Sequence, residues 1–427
     1  MRKPRKAWWI ALACAVRAAA GEPAAPPSDA RAERVRAWRR DIHQHPELSN
    51  RESRTARLVA DHLAAQGYEV RTGVAHTGVI GVLRGGAGPV VALRADLDAL
   101  PVVEDTGLPF ASRERSTYEG RDVGVMHACG HDAHTAILMG VAETLAAQRA
   151  ELAGTVVLLF QPAEEGAPTG ERGGASLMLE EGAFAAPRPD AVFGLHVTPE
   201  LTAGRLGVRA GAAAASSDRL TIRVKGRQSH AASPWQGVDP IAAASRIVLA
   251  LEALPAREVD ARIPSIVSIG AFHAGVRNNI IPGDAELVGT IRSLDAAQRK
   301  DLHEKVRRTA QGIAQASGAE AEVLIDPGNP MVWNDPALLA RMRPTLERAA
   351  GAGQVEDMLP WTASEDFAFY AQQAPGLFFW LGVRRPDVAL EEAGGLHTPR
   401  FDLDESALPV GVRAMSELAV SFLSNAR

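Results

Sequence analysis

Apolar positions along this chain follow two periods, and the switches between them mark out its elements. Residues 31–66 carry apolar positions at helical spacing, with Leu58, Val59 and Leu63 on one face and an end at Gly67. Short apolar runs then predict strands at 78–84, 90–94, 155–160 and 190–195, the last delivering His196 at its end. Residues 135–148 and 174–181 read as helices. Strands alternating with helices predict an α/β domain on a largely parallel sheet, with ligand-binding residues at the strand ends.

Near residue 209 the pattern changes. The small-residue segment 210–217 reads as a hinge, followed by a strand at 219–225, a helix at 240–254, strands at 265–271 and 285–291, a helix at 295–317 and a strand at 321–325. Strand–helix–strand–strand–helix–strand is the order of a ferredoxin-like split βαβ module. After Pro327 the α/β character returns, with a strand at 377–381 and a closing helix at 406–424. The economical reading is an α/β catalytic domain in two parts, 31–208 and 328–427, around an inserted α+β lid or dimerisation module at 209–327.

At 427 residues the chain is long enough for two domains, and 46% apolar with 23% charged residues is ordinary for a soluble protein. A net charge of −5, with no Lys/Arg run beyond the first six residues, argues against a nucleic-acid partner. Residues 1–20 read as an export signal, with a basic start, a short apolar core ending near Val16 and a small-residue cleavage site at Ala18–Ala20. That core is too short to span a bilayer, so a periplasmic or secreted protein without a membrane span is expected. Cys14 as a lipoprotein attachment site is the lesser alternative, and the Pro/Ala-rich segment 21–30 reads as a linker. Removal of the signal leaves Cys129 as the one thiol of the two in the sequence, which rules out an internal disulfide.

The chemistry concentrates between Met126 and His134, where one thiol, three imidazoles and a carboxylate fall within nine residues. Burying such groups is costly unless a cation binds them. Gly130 lets the backbone turn Cys129 and His131 onto one centre. Glu164 and Glu165 follow the strand at 155–160, and alternation along a strand would send one to a metal and the other to substrate. His196 and His397, each after a Gly-Leu pair, complete a ligand set of Cys129, His131, Glu165, His196 and His397. Such a set suits two divalent cations; thiolate, imidazole and carboxylate together favour zinc, with manganese, cobalt and nickel as alternatives.

The segments Leu93-Arg94-Ala95-Asp96-Leu97-Asp98-Ala99-Leu100-Pro101, His127-Ala128-Cys129-Gly130-His131-Asp132-Ala133-His134, Gln161-Pro162-Ala163-Glu164-Glu165-Gly166 and Gly194-Leu195-His196 resemble the amidohydrolase branch of the dinuclear-metal aminoacylase/carboxypeptidase family, which includes hippurate hydrolases. Ser229-His230-Ala231, Asn279-Ile280-Ile281-Pro282, Gly289-Thr290-Ile291-Arg292, Ser364-Glu365-Asp366-Phe367 and Leu396-His397-Thr398-Pro399 fit it in the same order, over residues 31–424. The resemblance implies the same five metal ligands, with Glu164 as general base. It further implies that His230 clamps the substrate carbonyl of a neighbouring subunit, and that Asn279 and Arg292 lie near the substrate carboxylate. Asp96, Asp132 and His134 read as groups that orient the ligands, His127 as either such a group or a packing residue, and Ser364–Asp366 as a turn near the site. The loop 166–174 is longer than in the plant-hormone conjugate hydrolases, so auxin-conjugate activity is not carried over.

The expected protein is therefore a homodimeric, metal-dependent amidohydrolase that splits small N-acyl amino acids. The alternatives are a carboxypeptidase or dipeptidase using the same site, a catalytically silent binding protein, and a hydrolase with Cys129 as nucleophile.

Overall fold

The computed structural model describes residues 29–424. The export signal, Cys14 and most of the 21–30 segment lie outside them, and residues 29 and 30 already belong to the first helix. The helical pattern of 31–66 resolves into two helices, Asp29–Gln44 and Ser53–Ala65, rather than one. Pro46 explains the break, because it lacks an N–H to donate and disfavours helical backbone in the residue before it.

The larger sheet has eight strands in the spatial order Glu69–Val74, Gly78–Arg84, Thr155–Gln161, Val90–Asp96, Ala191–Thr202, Gly376–Arg384, Leu206–Val208, Val355–Asp357. The four central strands, from Thr155–Gln161 to Gly376–Arg384, run parallel, and antiparallel pairings flank them. The sheet is thus mixed, parallel through its centre and again at one edge, where Val355–Asp357 pairs with Leu206–Val208. Its central strands are buried almost end to end, which is why they appear in the sequence as unbroken apolar runs.

Helices cover both faces. His131–Ala147, Asp29–Gln44, Pro336–Ala350 and Leu408–Ser424 build one core layer, with Leu138, Met342 and Met415 among its fully covered side chains. Gly174–Glu180 and Phe367–Ala371 close the other face around Met178, Phe378 and Trp380. The closing helix is long and apolar enough to cross a membrane, but 67% of its most apolar window is buried inside the fold, where it serves as a core helix.

The segment from Asp218 to Pro327 forms a second, four-stranded antiparallel sheet in the order Ser265–Ala274, Asp284–Ser293, Asp218–Lys225, Glu320–Pro327. This is the ferredoxin-like arrangement expected from the element order. Helices Pro240–Arg257 and Ala296–Ala316, capped by Asp239 and Asp295, bury Ile247 and Leu302 in one core with the strand residues Leu220 and Ile222. The 210–217 segment is more ordered than a hinge reading suggests. Gly211–Ala214 is a strand paired with Val332–Asn334, and the two chain crossings run side by side, with Ser217 N–H donating to Asn329 O.

The first helix is tied to the helix carrying His131 by a buried ion pair. Arg39 Nε donates to Asp132 Oδ2 at 2.8 Å, and His43 Nδ1 lies 2.8 Å from the same oxygen. Both charged side chains are sealed, at 1% and 0% exposure, so removing one leaves the other buried without its partner. Arg39→Met is therefore expected to lower unfolding stability by about 3–5 kcal/mol, read as a shifted denaturation midpoint with unchanged secondary structure in the folded state.

Candidate metal centre

Each predicted ligand reaches the centre from a different element at the carboxyl ends of the parallel strands. His131 opens the helix His131–Ala147, directly after Gly130 at φ 84°. A side chain at Gly130 would strike Val197, so this left-handed turn requires glycine. His196 projects from the central strand Ala191–Thr202. His397 holds a left-handed φ of 64° in the last loop, its N–H donating to Ala128 O at 2.8 Å. A non-glycine residue held there stores strain of about 1–3 kcal/mol, of the kind that clusters at functional sites.

The five side chains converge. Cys129 Sγ lies 3.4 Å from His196 Nε2 and 3.3 Å from His397 Nε2. Glu165 Oε1 is 3.0 Å from His397 Nε2 and 3.9 Å from His131 Nε2. Donor atoms of Cys129, His131 and His196 lie within 4.8 Å of one another, as do those of Cys129, Glu165 and His397, and those of His131, Glu164 and Glu165.

Glu164 and Glu165 both bring a carboxylate oxygen near His131 Nε2, at 4.0 and 3.9 Å, so strand alternation does not separate them. The strand ends at Gln161, and both glutamates sit in a turn entered through Ala163 at φ 53°. Three successive N–H groups of that turn are held by two carboxylates that sequence reading missed. Glu52 Oε1 accepts from Ala163 N at 2.9 Å, Asp98 Oδ1 from Glu164 N at 3.1 Å and Asp98 Oδ2 from Glu165 N at 3.0 Å. Asp98 also accepts at His131 Nδ1, through its carbonyl at 2.8 Å, which aims Nε2 inward.

Asp96 and His134 behave as orienting groups. His134 Nδ1 is 2.6 Å from Asp96 Oδ1, and its Nε2 accepts from Val197 N at 2.9 Å, which places the proton on Nδ1. Asp132 does not orient a ligand: its bonds run to Arg39 and His43, away from the centre, so it anchors the first helix instead. His127 is buried with neither ring nitrogen bonded, and burial lowers its pKa to about 3, which makes it a neutral packing residue. The Ser364–Asp366 turn does lie at the site. Its Glu365 and Asp366 meet the buried Arg94 guanidinium at 3.0 and 2.9 Å, and Asp366 N lies 3.4 Å from Glu164 Oε1. Arg94, also 2.6 Å from Asp96 Oδ2, is the cation inside this acidic group and gave no pattern signal of its own.

His230, Asn279 and Arg292 lie in the ferredoxin-like module. Ser229–His230 pairs with Ile280–Ile281, and Ala231 N donates to Asn279 O, which puts exposed His230 beside Asn279. Neither bonds to a residue of the centre. Arg292 is half-buried on the strand Asp284–Ser293, its pKa lowered by that burial. A cleft of about 430 Å³ runs from Glu164 and Glu165 to Ser217, Gly328 and Asn329, where the two sheets' territories meet.

The electrostatics fit bound cations. Without one, burial and then Glu165 push the Cys129 thiol well above its ordinary range, and burial with Glu365 and Glu165 does the same to Glu164. Against the opposing effect of burial, Asp96 and Asp98 raise His131 to about 10. His131 Nε2 is nevertheless buried without a hydrogen-bond partner, facing carboxylate oxygens of Asp96, Glu164 and Glu165 at 3.8–4.0 Å. A divalent cation would use that nitrogen, hold the thiol as thiolate and offset the carboxylates.

The family model that describes Peptidase family M20/M25/M40 matches residues 92–421. An N-acetylcysteine deacetylase of Bacillus subtilis is 41% identical over 388 residues, covering 90% of this chain and 96% of the relative. The thermostable carboxypeptidase 1 of Saccharolobus solfataricus is 39% identical over 390 residues, covering 90% and 94%. Among solved structures, the YXEP protein of Bacillus subtilis, a dinuclear metal binding peptidase from the M20 family, superposes with a TM-score of 0.77 at 39% identity, covering 93% of this chain and 99% of that one.

Burial and Asp98 push the Glu52 carboxyl up to about 8, so near neutral pH its amide counterpart is a fair mimic. Glu52→Gln should keep the turn, whereas Glu52→Leu frees Ala163 N–H and should weaken cation binding about 10- to 100-fold. Trp361, whose ring centroid lies 5.0 Å from that of His196, supplies the readout: cobalt titration quenches its fluorescence at shifted concentrations only in the leucine variant.

Proposed function

The chain belongs to Peptidase family M20/M25/M40 and is a metal-dependent hydrolase of amide bonds, and on that footing we propose that it cleaves N-acyl amino acids to a carboxylic acid and a free amino acid. The observation that carries the reading is the glutamate pair gathered with the candidate ligands at His131. Glu165 meets His397 at 3.0 Å, and both it and Glu164 line the cleft. Two divalent cations held by Cys129, His131, Glu165, His196 and His397, zinc before manganese, cobalt or nickel, would polarise the acyl carbonyl and acidify a water.

Glu164 takes the proton of the attacking water as the new C–O bond forms, then gives it to the nitrogen as the C–N bond breaks. Its place in the cleft, with Oε2 4.0 Å from His131 Nε2, suits both halves of this shuttle, because one carboxyl beside the candidate ligands can serve the water and then the leaving nitrogen. Asn279 and Arg292 belong to the amino-acid carboxylate in this reading. His230, exposed and unconnected to the centre of its own chain, steadies the developing oxyanion of the partner subunit's substrate in a homodimer.

The carboxypeptidase reading shares all of this chemistry, and the carboxypeptidase relative at 39% identity keeps it in play. Assay of N-acyl amino acids beside dipeptides separates the two. Glu164→Gln should retain its cations by elemental analysis while kcat falls about 100- to 10,000-fold; near-full turnover in that variant removes Glu164 as base.

The shared site has its own test. Inactive His230→Ala and inactive Glu164→Gln are mixed under conditions that exchange subunits, and activity should return, since a mixed dimer has one intact site. No recovery despite proven exchange places His230 in its own chain's site or outside the chemistry.

A further inference from the structure

A second cavity, of about 290 Å³, adjoins the cleft that holds Glu164 and shares Glu165 and Gly166 with it. Its floor is the buried Leu48 and Ala99 with Leu100 and Pro101, and its rim is Tyr118 and Pro168. Two surface segments build that rim. The hairpin of Arg115–Tyr118 and Arg121–Gly124 supplies Tyr118 at its tip, and the loop 166–173 supplies Pro168.

These segments are latched to each other and to the body. Thr169 Oγ1 donates to Glu119 Oε1 at 3.2 Å, and Glu171 pairs with Arg51 at 2.5 Å while accepting from Asn50 Nδ2 at 3.0 Å. Several of the cavity's polar side chains are thereby engaged: Ser49 donates to Asp98 at 2.7 Å, Thr169 bonds to Glu119, and Arg51, the one cation among the described lining residues, pairs with Glu171. Apart from Thr117 and the Glu165 carboxylate, which is assigned to the cations, what remains for a ligand is an apolar floor and the exposed Tyr118 ring.

An N-acyl amino acid presents two unlike ends to the scissile amide. The carboxylate end needs donors or an uncommitted cation, and the acyl end needs apolar surface. The Glu164 cleft, lined by Ser217, Asn329 and Ser364 and reaching toward the ferredoxin-like module, suits the first end. The Glu165 cavity suits the second. Resting on the amidohydrolase reading, we infer that this cavity is the acyl pocket and that the 115–124 hairpin and the 166–173 loop shape it for an apolar acyl group of ring size rather than for acetyl. At about 290 Å³ it is at the small end of ligand sites, which fits one ring and excludes long chains.

The test compares kcat/KM for N-benzoylglycine, N-acetylglycine and N-acetylphenylalanine in the metal-loaded wild type, in Tyr118→Ala and in Thr169→Trp. Both substitutions fall on exposed surface segments, and retained cation content confirms that each variant folds. Wild type should favour benzoyl over acetyl by about tenfold or more. Both variants should lower that ratio about fivefold or more, one by removing a wall and the other by filling the space.

A wild-type enzyme that favours acetyl, or a ratio unmoved in both variants, overturns the pocket assignment while leaving the amidohydrolase reading in place. A change confined to the phenylalanine-to-glycine preference means that the cavity holds the amino-acid side chain, which also overturns it. Turnover of dipeptides with none of the three N-acyl substrates overturns the amidohydrolase reading itself.

Discussion

Everything at the carboxyl end of the central sheet answers to one electrostatic constraint, an excess of buried carboxylate. Asp96, Asp98, Glu164, Glu165, Glu365 and Asp366 crowd a space in which Arg94 is the fixed cation. Water cannot screen these charges, so they must be protonated, hydrogen-bonded or matched by cations. The structure divides the task. Arg94 neutralises the Asp96–Glu365–Asp366 side, successive backbone N–H groups satisfy Asp98, and the unpartnered His131 Nε2 marks where a metal takes the remainder. Metal affinity is then partly a folding matter, since the cation relieves a repulsion that the fold itself assembles.

This division shows why parts of the site were legible in the sequence and others were not. Cys129, His131, Glu165, His196 and His397 stood out because thiols and imidazoles beside apolar strands have few other uses, and they do converge. Asp98, Glu52 and Arg94 act by holding backbone N–H groups or neighbouring charges, and a residue type alone carries no sign of that work. For Asp98 there was a hint, two residues after Asp96 at a strand end. For Glu52, distant in sequence from the turn it supports, there was none.

The same contrast holds for the fold. Periodicity located the central strands and the ferredoxin-like module, because burial on both faces or on one face leaves a direct trace in apolar spacing. It joined two helices across Pro46 because helical spacing happened to continue past the break. It read 210–217 as a hinge because small residues suit flexible linkers, yet the strand Gly211–Ala214 pairs with Val332–Asn334 and buries the small Ala213 and Ala214. Alternation failed at Glu164 and Glu165 because the strand had already ended.

The strand Gly376–Arg384 lies beside Ala191–Thr202 in the middle of the larger sheet, although the whole ferredoxin-like module separates them in the chain. During synthesis the ribosome releases His131, Glu165 and His196 long before that strand and His397 emerge. The module can fold on local contacts while the larger sheet waits, open along the edge that Gly376–Arg384 will fill. Until residue 397 is added, the acidic centre lacks a candidate ligand, and until Gly376–Arg384 is added it lacks its fourth parallel strand. A chain truncated before residue 376 would carry four of the five candidate ligands and lack both His397 and the strand that pairs with Ala191–Thr202.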